Sequence, residues 1–190
     1  MLSELNHSFF LFLNADSSTP WLLVQFASIF AEAPQFILAM MLVYSWLRDP
    51  HGGWPIVVRV ASTMTLALIF SKAIGMAYPV DRPFVIGLGN QWLEHSPDPS
   101  FPSDHATLLF AISCACLGRP GWPTVGWTAL ILGVVNGWAR VTVGLHYPLD
   151  ILAALGVGLA SAVIVSQGAK LLSVRNIRLL QRNINSKTMR

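Results

Sequence analysis

Apolar residues fill this chain in long stretches separated by short polar segments. A helix needs about 20 mainly apolar residues to cross a bilayer. Five stretches meet or approach that length: residues 20–47, 55–78, 103–118, 123–140 and 148–172. The first contains Glu32 and Pro34. A proline removes a backbone donor and crowds the preceding turn, so a kink is predicted there. The third stretch is short, which suits a helix packed among others. Residues 1–15 are too short and mixed to span, and their FFLFL run predicts a helix lying in the interface. The longest loop, 79–102, is rich in Pro, Gly and Asp. The pattern predicts an all-α polytopic membrane bundle of five spanning helices plus an N-terminal interfacial helix. Residues 1–172 would form a single embedded domain and 173–190 a basic tail.

Composition narrows the class. Of 190 residues, 54% are hydrophobic and 11% charged, where a soluble domain carries about one quarter charged. Mean hydropathy is +0.56. Cys114 and Cys116 point in different directions on a helix, so they read as small packing residues rather than a disulfide framework or metal site. No basic segment precedes an apolar core at the N-terminus, so no cleavable signal peptide is expected. No nucleic-acid partner is expected, and oligomeric state leaves no mark in the sequence.

Charge sets the orientation. Of twelve Lys and Arg residues, nine fall on one side: Arg48, Arg59, Arg119, Lys170, Arg175, Arg178, Arg182, Lys187 and Arg190. The positive-inside rule makes that side cytoplasmic. Five spans then leave the N-terminus outside and the tail inside, where its amphipathic spacing suits anionic lipid or plain solvation.

The other side collects chemistry. Lys72 ends the second stretch and Arg82 follows it; Ser103, Asp104 and His105 open the third; Arg140, His146 and Asp150 lie between the fourth and fifth. Pro148 suits a first helical turn, so Asp150, four residues after His146, can reach back to the imidazole. Such a contact puts the proton on Nδ1 and leaves Nε2 free as a nucleophile. The mouth of the third helix offers unpaired N–H groups to an anion, and the three cations suit the non-bridging oxygens of a phosphate.

Each piece has a plainer reading. Ser103 or Asp104 can cap a helix, Asp150 can be a favourable first-turn acid, and Arg82 can pair with Asp81. His105, His146, Asp104 and Asp150 are also zinc ligands by type. Three neighbouring cations would repel a dication and welcome a phosphate, so no metal and no cofactor is expected. Ionisable groups gathered at membrane depth favour function over the plainer readings.

Together the three segments resemble the type 2 phosphatidic acid phosphatase superfamily of membrane lipid phosphatases. That family's signature is Lys-x6-Arg-Pro, then Pro-Ser-Gly-His, then Ser-Arg-x5-His-x3-Asp. Here the third motif is Ala139-Arg140, five residues, His146, three residues, Asp150; the second is Pro102-Ser103-Asp104-His105; the first is Lys72, nine residues, Arg82-Pro83. Asp104 replaces the usual Gly, and three readings stay open for it: binding a substrate hydroxyl, tuning His105, or turning away to cap the helix. Ala139 replaces Ser, and the first spacing is three residues longer. Lys72 and position 75 are nearly one turn apart, so Lys72 can keep the same face. These variations look like the bacterial undecaprenyl-diphosphatase branch.

The resemblance implies that His146 attacks phosphorus, Asp150 orients it, and His105 protonates the leaving oxygen. Lys72, Arg82, Ser103 and Arg140 would hold the phosphate, with Asp104 as a modulator. It implies a polyprenyl diphosphate lipid substrate, undecaprenyl diphosphate, cleaved on the periplasmic face of the bacterial inner membrane to recycle the cell-wall carrier lipid. Extra enzyme would then raise resistance to bacitracin, which sequesters that diphosphate. Phosphatidylglycerol phosphate and phosphatidic acid are the alternative substrates, and a non-enzymatic lipid-binding or transport protein is the alternative class. Trp92, Glu94 and His95 in the long loop read either as part of the head-group entrance or as an interfacial loop with an aromatic anchor. A soluble vanadate-binding haloperoxidase would share the motifs, but this composition is too apolar for one.

Overall fold

The computed structural model describes residues 2–48, 50–117 and 119–188. Among them are seven helices and no strand: α1 Leu2–Leu13, α2 Trp21–Glu32, α3 Pro34–Arg48, α4 Pro50–Ala77, α5 Asp104–Leu117, α6 Pro123–Thr142 and α7 Pro148–Thr188. The side chains of 174–190 lie outside the described residues, and with them the expected membrane contact of the basic tail.

The predicted first span is two helices, α2 and α3, bent by 51°. The cause is Pro34, which has no N–H to offer the Phe30 carbonyl. The last regular bond of α2 runs from Ala33 N to Ile29 O at 2.8 Å. The carbonyls left over are taken by α6: Asn136 Nδ2 donates to Phe30 O and Ala31 O at 2.9 Å each. Arg140 adds a bond to Ala31 O at 3.0 Å. Elsewhere the predicted boundaries lie within a few residues of the observed ones, except that α7 runs on past the predicted end at 172 to Thr188. Pro123 and Pro148 open α6 and α7, where a missing N–H costs nothing.

The short helix α5 is the centre of the bundle and packs on α4, α6 and α7. Its Leu109, Ile112, Ala115 and Cys116 meet Leu38 of α3, Ile56 and Val60 of α4, and Val125 and Ala129 of α6. On its other side α7 comes so close at Gly158 that an added Cβ would sit 2.8 Å from the Ala111 nitrogen. Small residues permit this kind of backbone approach between helices. At its far end, Arg59 of α4 donates from Nε to Ala115 O at 3.0 Å, satisfying a terminal carbonyl.

The surface inverts the soluble pattern. Trp21, Leu22, Phe12, Leu152 and Leu171 are exposed, while Arg82, Ser100, Ser103, Asn136, Arg140, His146 and Asp150 are buried. Among the described residues, Trp54–Ala77 and Pro148–Ser173 are long and apolar enough to cross a membrane, and the bent pair α2–α3 makes a third if counted as one span. The loop between α4 and α5 contains no helix or strand but is tied down along its length. Ser100 N donates to Val80 O at 2.8 Å, and Trp92 N to Val143 O at 3.0 Å. Asn90 and Asn14 exchange two bonds of 2.7 and 2.9 Å, and Asn14 also donates to Thr142 O at 3.1 Å.

Candidate active site

The loop, the mouth of α5 and the α6–α7 turn meet at one end of the bundle, and they bring the sequence-predicted groups together. His146 is the hub. Its Nε2 lies 3.0 Å from Nη1 of Arg82. A guanidinium only donates, so Nε2 accepts and the ring proton sits on Nδ1. That nitrogen lies 3.2 Å from Asp150 Oδ2. Two more donors converge on the same carboxylate oxygen: the Tyr147 backbone N–H at 2.8 Å and the Ser100 hydroxyl at 2.5 Å. Full burial pushes the His146 imidazole well below its ordinary range, and the guanidiniums of Arg140 and Arg82 push the same way. The ring is therefore neutral at physiological pH, with one lone pair facing Arg82.

Arg82 is fixed from behind. Its Nε donates to Asp98 O at 2.9 Å, its Nη2 to Asp98 Oδ1 at 3.0 Å, and its Nη1 to Leu145 O at 3.0 Å. It pairs with Asp98 rather than with Asp81 next to it. Burial alone would raise the Asp98 carboxyl; the Arg82 charge and the Ser96 hydroxyl overturn that and hold it below its ordinary value. Arg140 is fully buried. Its Nη1 reaches Glu32 Oε1 at 3.4 Å and its Nη2 donates to His95 Nε2 at 3.2 Å.

At the mouth of α5, Ser103 takes the capping position, since its carbonyl accepts the first helical bond from Thr107 N at 2.9 Å. Its hydroxyl is buried and has no partner, and neither has Arg140 Nε. Buried donors are nearly always paired, and these two, at the same end of the bundle as His146, are available to an acceptor. Asp104 turns to α4: Oδ2 pairs with Lys72 Nζ at 2.5 Å and Oδ1 accepts from Ser71 at 2.7 Å. Lys72 is thereby held at the exposed rim, while position 75 is Gly75, packed beneath the Phe101 carbonyl. His105 is partly open, and Glu32 Oε2 lies 4.0 Å from its Nε2. Among the described residues no three His, Cys, Asp or Glu side chains are grouped as a metal would need.

The sequence reading missed the roles of three participants, Glu32, Ser100 and Asp98, and left that of His95 open. Glu32 had a signal, as the lone charge in an apolar stretch. Ser100, Asp98 and the bond of His95 to Arg140 had none, because an irregular loop carries no period from which a side chain's direction follows.

The PAP2 superfamily family model matches residues 56–172, from α4 through the three segments to α7. The chain belongs to the PAP2 superfamily. As a PAP2 protein it is a membrane phosphatase. It is 35% identical over 162 residues to Escherichia coli "Putative undecaprenyl-diphosphatase YbjG", covering 84% of this chain and 80% of that one. It is 36% identical over 121 residues to undecaprenyl-diphosphatase BcrC of Bacillus subtilis, covering 64% and 62%. It is 33% identical over 172 residues to bacitracin transport permease protein BcrC of Bacillus licheniformis, covering 90% and 84%. The crystal structure of Aquifex aeolicus LpxE matches this PAP2 fold with a TM-score of 0.71 at 19% identity, over 86% of this chain and 95% of that one. That likeness concerns the fold.

Proposed function

We propose that this PAP2 chain hydrolyses undecaprenyl diphosphate to undecaprenyl phosphate and inorganic phosphate, through a phosphohistidine. The observation that carries the reading is His146, a buried neutral imidazole with Nδ1 fastened to Asp150 and Nε2 free of a proton. The substrate comes from the relatives, two of which carry undecaprenyl-diphosphatase in their names.

The terminal phosphate docks among Arg82, Arg140 and Ser103, with Lys72 reaching it from the rim where Asp104 holds it. Arg82 passes its N–H from Nε2 to a phosphate oxygen. Nε2 attacks phosphorus; the N–P bond forms as the bridging P–O bond breaks. His105 gives a ring proton to the departing lipid phosphate, and Asp150 balances the charge on His146. Water then attacks phosphorus, His105 takes its proton, and N–P cleavage restores the neutral ring. The scheme uses no metal or cofactor.

The membrane topology belongs to the same proposal. Five spans are the bent pair α2–α3, then α4, α5, α6 and the first part of α7, with α1 at the interface. The chain sits in the bacterial inner membrane, the site faces the periplasm, and residues 173–190 extend into the cytoplasm from the 1–172 domain.

The test is phosphate release by purified protein in detergent, with excess chelator, from undecaprenyl diphosphate, phosphatidylglycerol phosphate and phosphatidic acid. Release from the diphosphate, lost in His146→Ala, supports the reading. Preference for another lipid moves the substrate and keeps the mechanism. A need for added metal overturns the mechanism, and no release from any lipid moves the chain to binding or transport.

A further inference from the structure

We propose that Glu32 is a positioning residue for His105, its carboxylate favouring the protonated form of that imidazole on the side of the leaving oxygen. The inference rests on the phosphohistidine reading, in which His105 must hold a proton until the P–O bond breaks.

The argument begins with the company His105 keeps. Arg140 and Arg82 both lie in this end of the bundle, and each works against a positive charge on His105. Three other groups of the site have carboxylates of their own. Asp150 serves His146, Asp98 serves Arg82, and Asp104 serves Lys72. Asp104 is the neighbour of His105 in sequence, yet both its oxygens are committed to α4, to Lys72 and Ser71. The carboxylate beside the His105 ring is Glu32, from α2, at 4.0 Å from Nε2. That is beyond hydrogen-bond distance. The charge therefore acts on the imidazolium without claiming the ring proton that the leaving oxygen needs.

The fold builds this contact deliberately. The Pro34 break ends α2 one residue after Glu32's neighbour Ala31 has been fastened to α6 by Asn136 and Arg140. The carbonyl end of a helix and a carboxylate both present negative charge. Together they give buried Arg140 a partner and set Glu32 between Arg140, through Oε1, and His105, through Oε2. In the first half-reaction, the N–P bond forms at His146, the bridging P–O bond breaks, and a proton passes from His105 to the leaving phosphate. Once the proton has passed, Glu32 faces a neutral ring ready to accept the proton of water.

The test is Glu32→Gln in the full chain, purified in detergent and assayed with undecaprenyl diphosphate, with inorganic phosphate as inhibitor. A general acid contributes factors of hundreds or more, and losing its supporting charge is expected to lower kcat about tenfold. KM and the inhibition constant of inorganic phosphate stay within about twofold, because Arg140 keeps the Ala31 carbonyl and His95. Glu32→Asp, which keeps the charge, recovers part of kcat, and Glu32→Gln adds little to the defect of His105→Ala. A change confined to KM and phosphate inhibition would assign Glu32 to Arg140 and overturn the proposal. Equal losses in Glu32→Gln and Glu32→Asp, or full additivity with His105→Ala, would also overturn it. Failure of the underlying reading looks different: His146→Ala and His105→Ala would then keep wild-type turnover.

Discussion

Asp104 and Lys72 form an ion pair at 2.5 Å, and the Ser71 hydroxyl completes it from the same helix at 2.7 Å. Two departures from the family signature, the Asp in the second motif and the longer spacing in the first, are thus one arrangement. Gly75 offers no cation, and Asp104 fastens the lysine one turn earlier. Lys72 is 61% exposed, and pairs so open contribute about 0–1 kcal/mol to stability. Asp104→Gly is therefore expected to leave thermal unfolding nearly unchanged while raising KM several-fold. Lys72→Ala should give the same KM, and the double variant no more than either alone. Unfolding in detergent and a four-member kinetic cycle check this.

Ser100 should matter to turnover out of proportion to its size. Its hydroxyl donates to Asp150 Oδ2 at 2.5 Å and lies 3.3 Å from His146 Nδ1. Ser100→Ala leaves a buried carboxylate one donor short, a loss of about 1–3 kcal/mol. The expected outcome is a lower kcat with KM unchanged, because no phosphate-facing group is touched. Steady-state kinetics with the diphosphate decide it.

Asn136 joins two helices through a defect. Asn136→Leu is close in volume but leaves Phe30 O without its side-chain donor and Ala31 O with Arg140 alone. A carbonyl left buried without a donor costs about 1–3 kcal/mol. A clear drop in unfolding midpoint is expected. Activity should fall as well, since Glu32 and the Arg140 contact follow directly from that helix end.

His146 makes the fold sensitive to acid. Its imidazole is held well below the ordinary value by burial, with Arg140 and Arg82 adding to the effect. Below about pH 6.5 the unfolded chain takes up a proton there that the folded chain refuses, so stability falls as pH drops through and below that point. Above it the contribution to the slope vanishes. The difference in unfolding between the wild type and His146→Gln, followed from about pH 8 to pH 5, isolates the term. The wild type should lose stability more steeply.

The sequence was legible where physics leaves a period or a fixed spacing. Apolar runs located the helices, Pro34 marked the bend, and the four-residue step from His146 to Asp150 needed only a helix start at Pro148. Position in three dimensions was legible only where the chain forces it. Nothing in the loop's composition says that Asp98 backs Arg82 or that Ser100 reaches Asp150, because those contacts follow from how an irregular segment is tied to Val80 and Val143. Asn136 lies in an apolar helix, and its two carbonyl partners follow from the bend in another. Glu32 was read as part of that bend, and its place between Arg140 and His105 became visible only once α2 was laid against α6.

The Asn14 contacts carry a consequence for how the chain is made. Asn14 reaches Asn90 across 76 residues and Thr142 across 128, and Ala15 accepts the Trp92 indole at 2.8 Å. The ribosome delivers α1 first, yet two of these anchors emerge only near the middle of the 190-residue chain and Thr142 only after about three quarters of it. Until then the opening helix lacks part of its seat and waits at the lipid surface. The last helix to be threaded therefore finds a half-open vessel, and the N-terminus closes it.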